Sequence, residues 1–352
     1  MEYMTANRFK SAPVVPLVTS GWKFAVCGLT VVVLLFALLF IGTVDIPASA
    51  VWRTLCGRAA PEDSMVEAIV WAVRMPMALT ALAAGASLAV AGLLLQTTFA
   101  NPLAGPSIMG VSTGASLGVA VVMLGCGSLL GFGAGQYVGA LVGALIGSAV
   151  VLGVLLIFSM FVRSNAMLLI FGILVGYLAS SGISLLNFFS TQQGVHSYVI
   201  WGMGSFSGVT PVAMLWLLGL TVAGVAGAFL CVKPLNALLL GVRYAESMGI
   251  SVRATRNRLL ALSGILTAAV TAFCGPIAFL GLVMPHVARM IFRTSNHVVL
   301  LPATALVGAA GAMGCALVGV SCGGGGIIPV NAITPVISVP IIIYVIVKRK
   351  KL

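Results

Sequence analysis

Residues 99–116 read FANPLAGPSIMGVSTGAS. The stretch holds two prolines, three glycines, one asparagine and no charge, and long apolar runs lie on both sides of it. A turn in water would normally carry strongly hydrated side chains. This one breaks a helix without them: Asn101 and Pro102 end the preceding run, and Gly105, Gly110 and Gly114 let the next helix start close against its neighbours. The surroundings explain how such a turn is tolerated. Of 352 residues 61% are hydrophobic and 7% charged, whereas soluble domains carry about 25% charged residues. A soluble fold could not hide that much apolar surface, so the solvent is lipid. The 42 glycines suit closely packed helices. The runs are continuous and about 20 residues long, not the alternating segments of roughly 10 residues that build a barrel.

Ten spans are predicted, with cores at 22–44, 78–98, 107–125, 137–161, 166–189, 211–232, 259–273, 275–290, 299–317 and 332–347. The eighth is short and contains Pro276 and Pro285, so it reads as a broken crossing whose backbone must be covered by protein or water. Basic residues gather at every second junction: Arg8, Lys10 and Lys23; Arg163; Lys233 with Arg243, Arg253, Arg256 and Arg258; Arg289 with Arg293; and the tail Lys348, Arg349, Lys350, Lys351. Junctions 126–136, 190–210 and 318–330 have no Lys or Arg, and the 45–77 loop balances Arg53, Arg58 and Arg74 against Asp45, Glu62, Asp63 and Glu67. The positive-inside rule then places both termini in the cytoplasm. The net charge of +12 belongs to membrane flanks, not to a nucleic-acid partner. No span core carries Asp or Glu, and Lys23 and Arg289, each at a span end, are the basic residues within them; the usual equipment of proton relays and voltage sensors is missing, so energy for uphill transport would come from elsewhere.

The chain reads as a single transmembrane domain over 1–352, with a cytoplasmic N-terminal segment 1–21, a cytoplasmic loop 233–258 and a basic tail 348–352. In that loop, KPLNALLLGVRYAESMGISVRATRNR, two short amphipathic pieces meet at Gly241 and end at Gly249, rimmed by basic residues. Such a pair is a docking surface for a partner or an interfacial loop on anionic headgroups. His286 sits alone after Pro285, His196 and His297 are likewise isolated, and no metal site emerges. No G-x-x-x-x-G-K-[ST] phosphate loop occurs, so the chain does not hydrolyse ATP by that route. The seven cysteines show no metal spacing and read as small apolar residues; Cys126, Cys274 and Cys322 fall near predicted outer loops, where a disulfide is chemically allowed. The first apolar run is too long for the core of a cleavable signal.

Six segments then stand in a familiar order: RMPMALTALAAGASLAVAGLLLQTTFANPLAGPSIMGVSTGASLG from Arg74, VIWGMGSFSG, PLNALLLGVRYAESMGI, GPIAFLGLVMPHVAR, LLPATALVGA and IPVNAITPVISVPIIIYVI. Together they resemble the permease subunits of the iron-siderophore, haem and cobalamin family of ATP-binding-cassette importers, the type II importers. The resemblance implies an all-α, ten-span permease fold. It implies a homodimer with the pathway along its two-fold axis, two separate ATPase subunits beneath and a solute-binding protein outside. ATP and Mg belong to the ATPase partner; this chain would bind no cofactor and no metal and have no catalytic residue. The ATPase-coupling residues would be Leu240, Gly241, Arg243, Ala245, Glu246, Met248 and Gly249. Spans five and ten, with the 190–210 loop, would gate the pathway, and Asn101, Pro102, Ser112, Asn187, Trp201 and Gly202 are its candidate residues.

Several positions depart from the family pattern. Val242 stands where the family has Glu, Met77 replaces a second outer Arg, ALVGVSCGGGG lacks an Asp–Arg pair, and Ile327 replaces a Glu. Docking of the binding protein is therefore expected at Arg53, Arg58 and Arg74. The expected function is import of a bulky metal chelate (cobalamin, ferric siderophore or haem) across the bacterial inner membrane. The rivals are an ion-coupled secondary transporter, which predicts sensitivity to ionophores, and a non-transporting scaffold, which predicts no flux.

Overall fold

The computed structural model describes residues 21–58, 63–125, 134–162, 164–323 and 326–350; the segment before residue 21, Cys126, Arg163 and Lys351 lie outside them. Every regular element described is a helix. In chain order these are α1 (Gly21–Phe40), α2 (Ala48–Leu55), α3 (Ser64–Ile69), α4 (Met75–Thr98), α5 (Val111–Ala120), α6 (Ala134–Phe161), α7 (Asn165–Phe189) and α8 (Gln192–Gly202). They continue with α9 (Pro211–Leu230), α10 (Val232–Leu239), α11 (Val242–Ser247), α12 (Val252–Cys274), α13 (Leu280–Phe292), α14 (His297–Ser321) and α15 (Val330–Lys350). A π-turn, Val70–Arg74, joins α3 to α4, and a second, Val121–Gly125, extends α5.

Seven helical segments are long and apolar enough to cross a membrane, and three shorter ones, Val111–Gly125, Leu280–Phe292 and Val330–Tyr344, bring the crossings to the ten expected. The eighth is the short one: Leu280–Phe292 has 13 residues, about 20 Å of helix against a hydrocarbon core of about 30 Å. The irregular segment 275–279 leads into it.

α4 is the hub. The Ser64–Thr98 span is 89% buried, against 17% for α1 and α7, and α4 packs against α14, α12, α13, α9 and α1. Its sequence is apolar all round, and a helix without a polar face belongs inside. Lipid offers no hydrophobic drive to bring helices together, so close approach of small residues does the work. Gly85 lies against the Gly308 carbonyl of α14 and Gly92 against Gly281 of α13; Gly114 and Gly118 of α5 interlock with Gly147 and Gly143 of α6. The outer helices turn large side chains to lipid, among them Ile146 of α6, Tyr177, Leu178 and Phe188 of α7, and Trp216 and Leu230 of α9.

Polar fastenings collect at the two ends of the bundle. At one end Lys23 Nζ donates to Ile291 O (2.8 Å), Thr97 Oγ1 meets His297 Nε2 (2.9 Å) and Asn236 Oδ1 accepts from His297 N (2.9 Å). At the other Ser190 Oγ donates to Leu124 O (3.3 Å) and Ser205 N to Cys274 O (2.9 Å). The helices alternate between these ends. Lys23, Lys233, Arg243, Arg253, Arg256, Arg258, Arg289 and Arg293 share the first end, while Arg53, Arg58 and Arg74 share the second with Asp45, Asp63 and Glu67. The charge sorting read along the chain is thus a sorting in space. The six described cysteines are all free thiols; Cys274 is buried and Cys322 exposed.

Candidate functional site: the basic end and the gate segments

α10 and α11 form an angled pair at the basic end. Leu240 closes α10, and Gly241, at φ +112°, reverses the chain into α11, a conformation that only glycine adopts without strain. Gly249, at φ +77°, ends the pair, and Ser251 Oγ then caps α12 by accepting from Ala254 N (3.4 Å). Leu240 (66% exposed), Met248 (59%), Val242 and Tyr244 all face out. Leu240, Tyr244 and Met248 border a groove of about 670 Å³ lined also by Pro234, Ile250 and Ala254 and by the basic residues Lys233 and Arg258. Exposed aliphatic side chains beside basic ones are costly in water unless a partner covers them.

Among the residues expected there, Gly241, Arg243, Glu246 and Gly249 are exposed together with Leu240 and Met248. Ala245 is fully buried, with Ile250 N donating to its carbonyl (3.0 Å), so it seats α11 on the start of α12. A single methyl on the inner side of a short amphipathic helix is the position that packs.

The opening stretch is a compact turn packed under this end. Phe99 caps α4, Ala100 turns at φ +48°, and Asn101 Oδ1 accepts from Leu103 N (2.9 Å). The carbonyl of Pro102 accepts from His286 Nε2 (2.8 Å), and Arg289 Nη1 lies 3.5 Å from His286 Nδ1 and 2.8 Å from Gln96 Oε1. Asn101 and Pro102 therefore shape the turn, and His286 holds it to α13. Gly110 starts α5 at φ +75° where a Cβ would come 2.8 Å from the Gly172 carbonyl of α7. Ser112, the pathway candidate in α5, lies inside the protomer. It is 6% exposed, and its hydroxyl accepts from Thr271 Oγ1 (3.3 Å) in the α5–α12 seam.

At the opposite end Trp201 and Gly202 close α8, and the backbone after them is woven into α15: Val330 N donates to Gly204 O (3.1 Å) and Asn331 N to Met203 O (3.2 Å). Asn331 was not anticipated from the sequence, yet it is the knot. Its Nδ2 donates to Pro276 O (2.6 Å) and Gly202 O (3.3 Å), and its Oδ1 accepts from Ala278 N (3.1 Å). One amide thus satisfies the irregular backbone of 275–279 and joins α8, α13 and α15. The signal for it was a lone amide in a proline-rich apolar run beside a predicted broken span. Asn187, near the end of α7, has a buried side-chain oxygen without a hydrogen-bond partner. Burial pushes the Tyr198 phenol up to about 12, so the ring that neighbours Trp201, centroids 6.1 Å apart, stays neutral.

The arginines expected to meet an outer partner are placed differently from one another. Arg74 points inward from the π-turn: it is 3% exposed, and its guanidinium donates to the carbonyls of Leu39 (2.8 Å), Phe40 (2.9 Å) and Val44 (2.6 Å). It caps α1, whose last carbonyls lack intrahelical partners, and shows no charge to solvent. Arg53 is half-exposed and paired with Asp63 at 3.0 Å, while Arg58 is exposed. Among the described residues no group of three metal-ligating side chains forms.

The sequence matches the FecCD transport family over residues 29–348. The chain belongs to the FecCD transport family. Its relatives include the vitamin B12 import system permease protein BtuC of Klebsiella pneumoniae subsp. pneumoniae, 31% identical over 288 residues, 80% of this chain and 83% of that one. The BtuC of Salmonella arizonae is 33% identical over 299 residues, 83% and 88% of the two chains. A solved structure described as an inward-facing conformation of a metal-chelate type ABC transporter superposes with a TM-score of 0.80 at 28% identity, covering 93% of this chain and 99% of its own. The FecCD membership bears out the family resemblance and the polytopic all-α permease fold read from the motifs. It accords with a transport subunit that does no chemistry of its own.

Proposed function

We propose that this FecCD permease carries a cobalamin-type metal chelate inward across the bacterial inner membrane, working as a homodimer driven by two separate ATPase subunits. The observation that carries this reading is the exposed α10–α11 surface: Leu240, Tyr244 and Met248 around a groove that Lys233 and Arg258 also line, with Val242 exposed as well, at the positively charged end, in a chain with no phosphate loop and no carboxylate in its span cores. Positive residues mark the cytoplasmic face, so the ATPase would dock there through Leu240, Val242, Tyr244 and Met248, with ATP and Mg held by that partner. Both termini would be cytoplasmic, and the solute-binding protein would approach the end bearing Arg53 and Arg58. Rim charges of that kind set encounter rate and register more than affinity. The lipid-facing surfaces of α7 and α15 leave room for a second protomer along the pathway. The cobalamin assignment follows the named relatives; ferric siderophore and haem are the neighbouring cargoes.

The test is uptake of labelled cyanocobalamin into proteoliposomes containing the permease, its ATPase and its binding protein. ATP-dependent accumulation, abolished when the phosphate-loop lysine of the ATPase is replaced, is the expected result. Accumulation driven by an ion gradient without ATP would overturn the reading in favour of a secondary transporter, and absence of flux for every chelate tried would leave a scaffold.

A further inference from the structure

Arg256 is 5% exposed and lies one turn into α12, just beyond the α10–α11 segment. Its Nη2 donates to the carbonyls of Ser159 and Val162, both at 2.6 Å, and its Nε to Ser159 Oγ at 3.1 Å. That hydroxyl in turn donates to Asn257 Oδ1 at 2.6 Å. Its Nη1 reaches Asn165 Oδ1 at 3.5 Å, and Asn165 Nδ2 donates to Thr98 O at 2.8 Å. The guanidinium therefore caps the last turn of α6, where carbonyls have no intrahelical partner and the helix dipole favours a cation. Through the first residue of α7 it also reaches the last residue of α4. Its planar fork of donors is what lets one side chain satisfy several acceptors at once.

The connection on the other side is equally short. Ala245 is fully buried and takes a hydrogen bond from Ile250, so α11 is seated on the residues that lead into α12, and Ser251 caps that helix five residues before Arg256. A displacement of α11 carries the first turns of α12 with it. What those turns grip is the α6–α7 corner.

We propose that Arg256 is the positioning residue that carries movement of the α10–α11 segment to α7. The proposal rests on the reading of α10–α11 as the ATPase-coupling surface. In energetic terms it is a contiguous network joining two elements that must move together.

The test uses the reconstituted complex with Arg256→Lys, which keeps the charge but loses the fork, and Asn165→Ala, which cuts the α7 side alone. Three quantities are measured for each: ATPase retained on the permease, ATP hydrolysed, and cyanocobalamin taken up per ATP. The expected result is uptake per ATP lower by about tenfold in each variant, a factor within the usual range of coupling between sites, with retained ATPase and ATP hydrolysis unchanged. The double variant should be no worse than Arg256→Lys, because both act on one link. Wild-type uptake per ATP in both variants would refute the proposal. So would losses of uptake matched by equal losses of retained ATPase, or losses that add in the double variant. If Arg256→Lys fails to fold, Asn165→Ala decides alone. Failure of the underlying transport reading is recognised separately, because the wild-type complex itself would then show no ATP-dependent uptake.

Discussion

Replacing Asn331 with Ala should loosen one end of the molecule and leave the other untouched. The side chain makes three hydrogen bonds, to Pro276 O, Gly202 O and from Ala278 N. Each contributes a net of about 1 kcal/mol, and more where the freed carbonyl or N–H is left buried without water. Together they hold the 275–279 segment, the end of α8 and the start of α15 with about 3 kcal/mol, which is roughly a hundredfold in a local opening equilibrium. The reporters are the amides of Ser205 and Val330, which bond to Cys274 O and Gly204 O within the same knot. Hydrogen exchange in detergent or nanodiscs should show their protection falling by roughly two orders of magnitude. The amide of His297, bonded to Asn236 at the far end, should exchange at its original rate. An equal loss at both ends would mean that Asn331 supports global stability only, and unchanged protection at Ser205 and Val330 would show that the knot does not hold the gate segments.

Three further outcomes are expected. Gly249→Arg places a bulky side chain at φ +77° beside the groove and should leave ATP hydrolysis running while uptake falls at least tenfold, measured as uptake per ATP; unaltered coupling would remove the α10–α11 segment from the mechanism. Arg74→Ala frees three carbonyl acceptors at the end of α1 and should lower stability by about 2–4 kcal/mol by the cost of unmet buried acceptors, seen as increased proteolysis in the 41–47 segment, while binding-protein affinity is unchanged in a pull-down titration. Gly110→Ala forces a Cβ against the Gly172 carbonyl at a positive φ; it should cost about 1–3 kcal/mol, read as a lowered unfolding temperature, whereas the open Gly153 should accept alanine without loss.

The number of crossings, the broken eighth crossing, the paired helices of the 233–258 segment and the sorting of charge to two ends were all legible along the chain. Each rests on a signal that survives without knowing the neighbours: run length, proline, glycine and the placement of Lys and Arg. The direction in which a span side chain points was not legible. In water an amphipathic helix announces its inner face, but here lipid and protein core are equally apolar, so the contact of Ser112 with Thr271 could not be read from the chain. The inward direction of Arg74 was illegible for a related reason. Basic residues at a span end usually seek the surface, and only the π-turn before α4 turns this one inward onto α1. Asn331 was passed over because an amide in an apolar run carries no label for the unpaired backbone it serves.

The glycine seams have a mechanical meaning. Where α4 meets α13 at Gly92–Gly281 and α14 at Gly85–Gly308, the spacers are mostly main-chain atoms and Cβ methyls, not long side chains. A side chain wedged between two helices is a spring with several rotameric lengths; main chain against main chain has almost no give. Those three helices therefore behave as one stiff strut through the membrane. α7 and α15 turn many large side chains outward and stand outside that strut, so a push delivered at the basic end would act mainly on them.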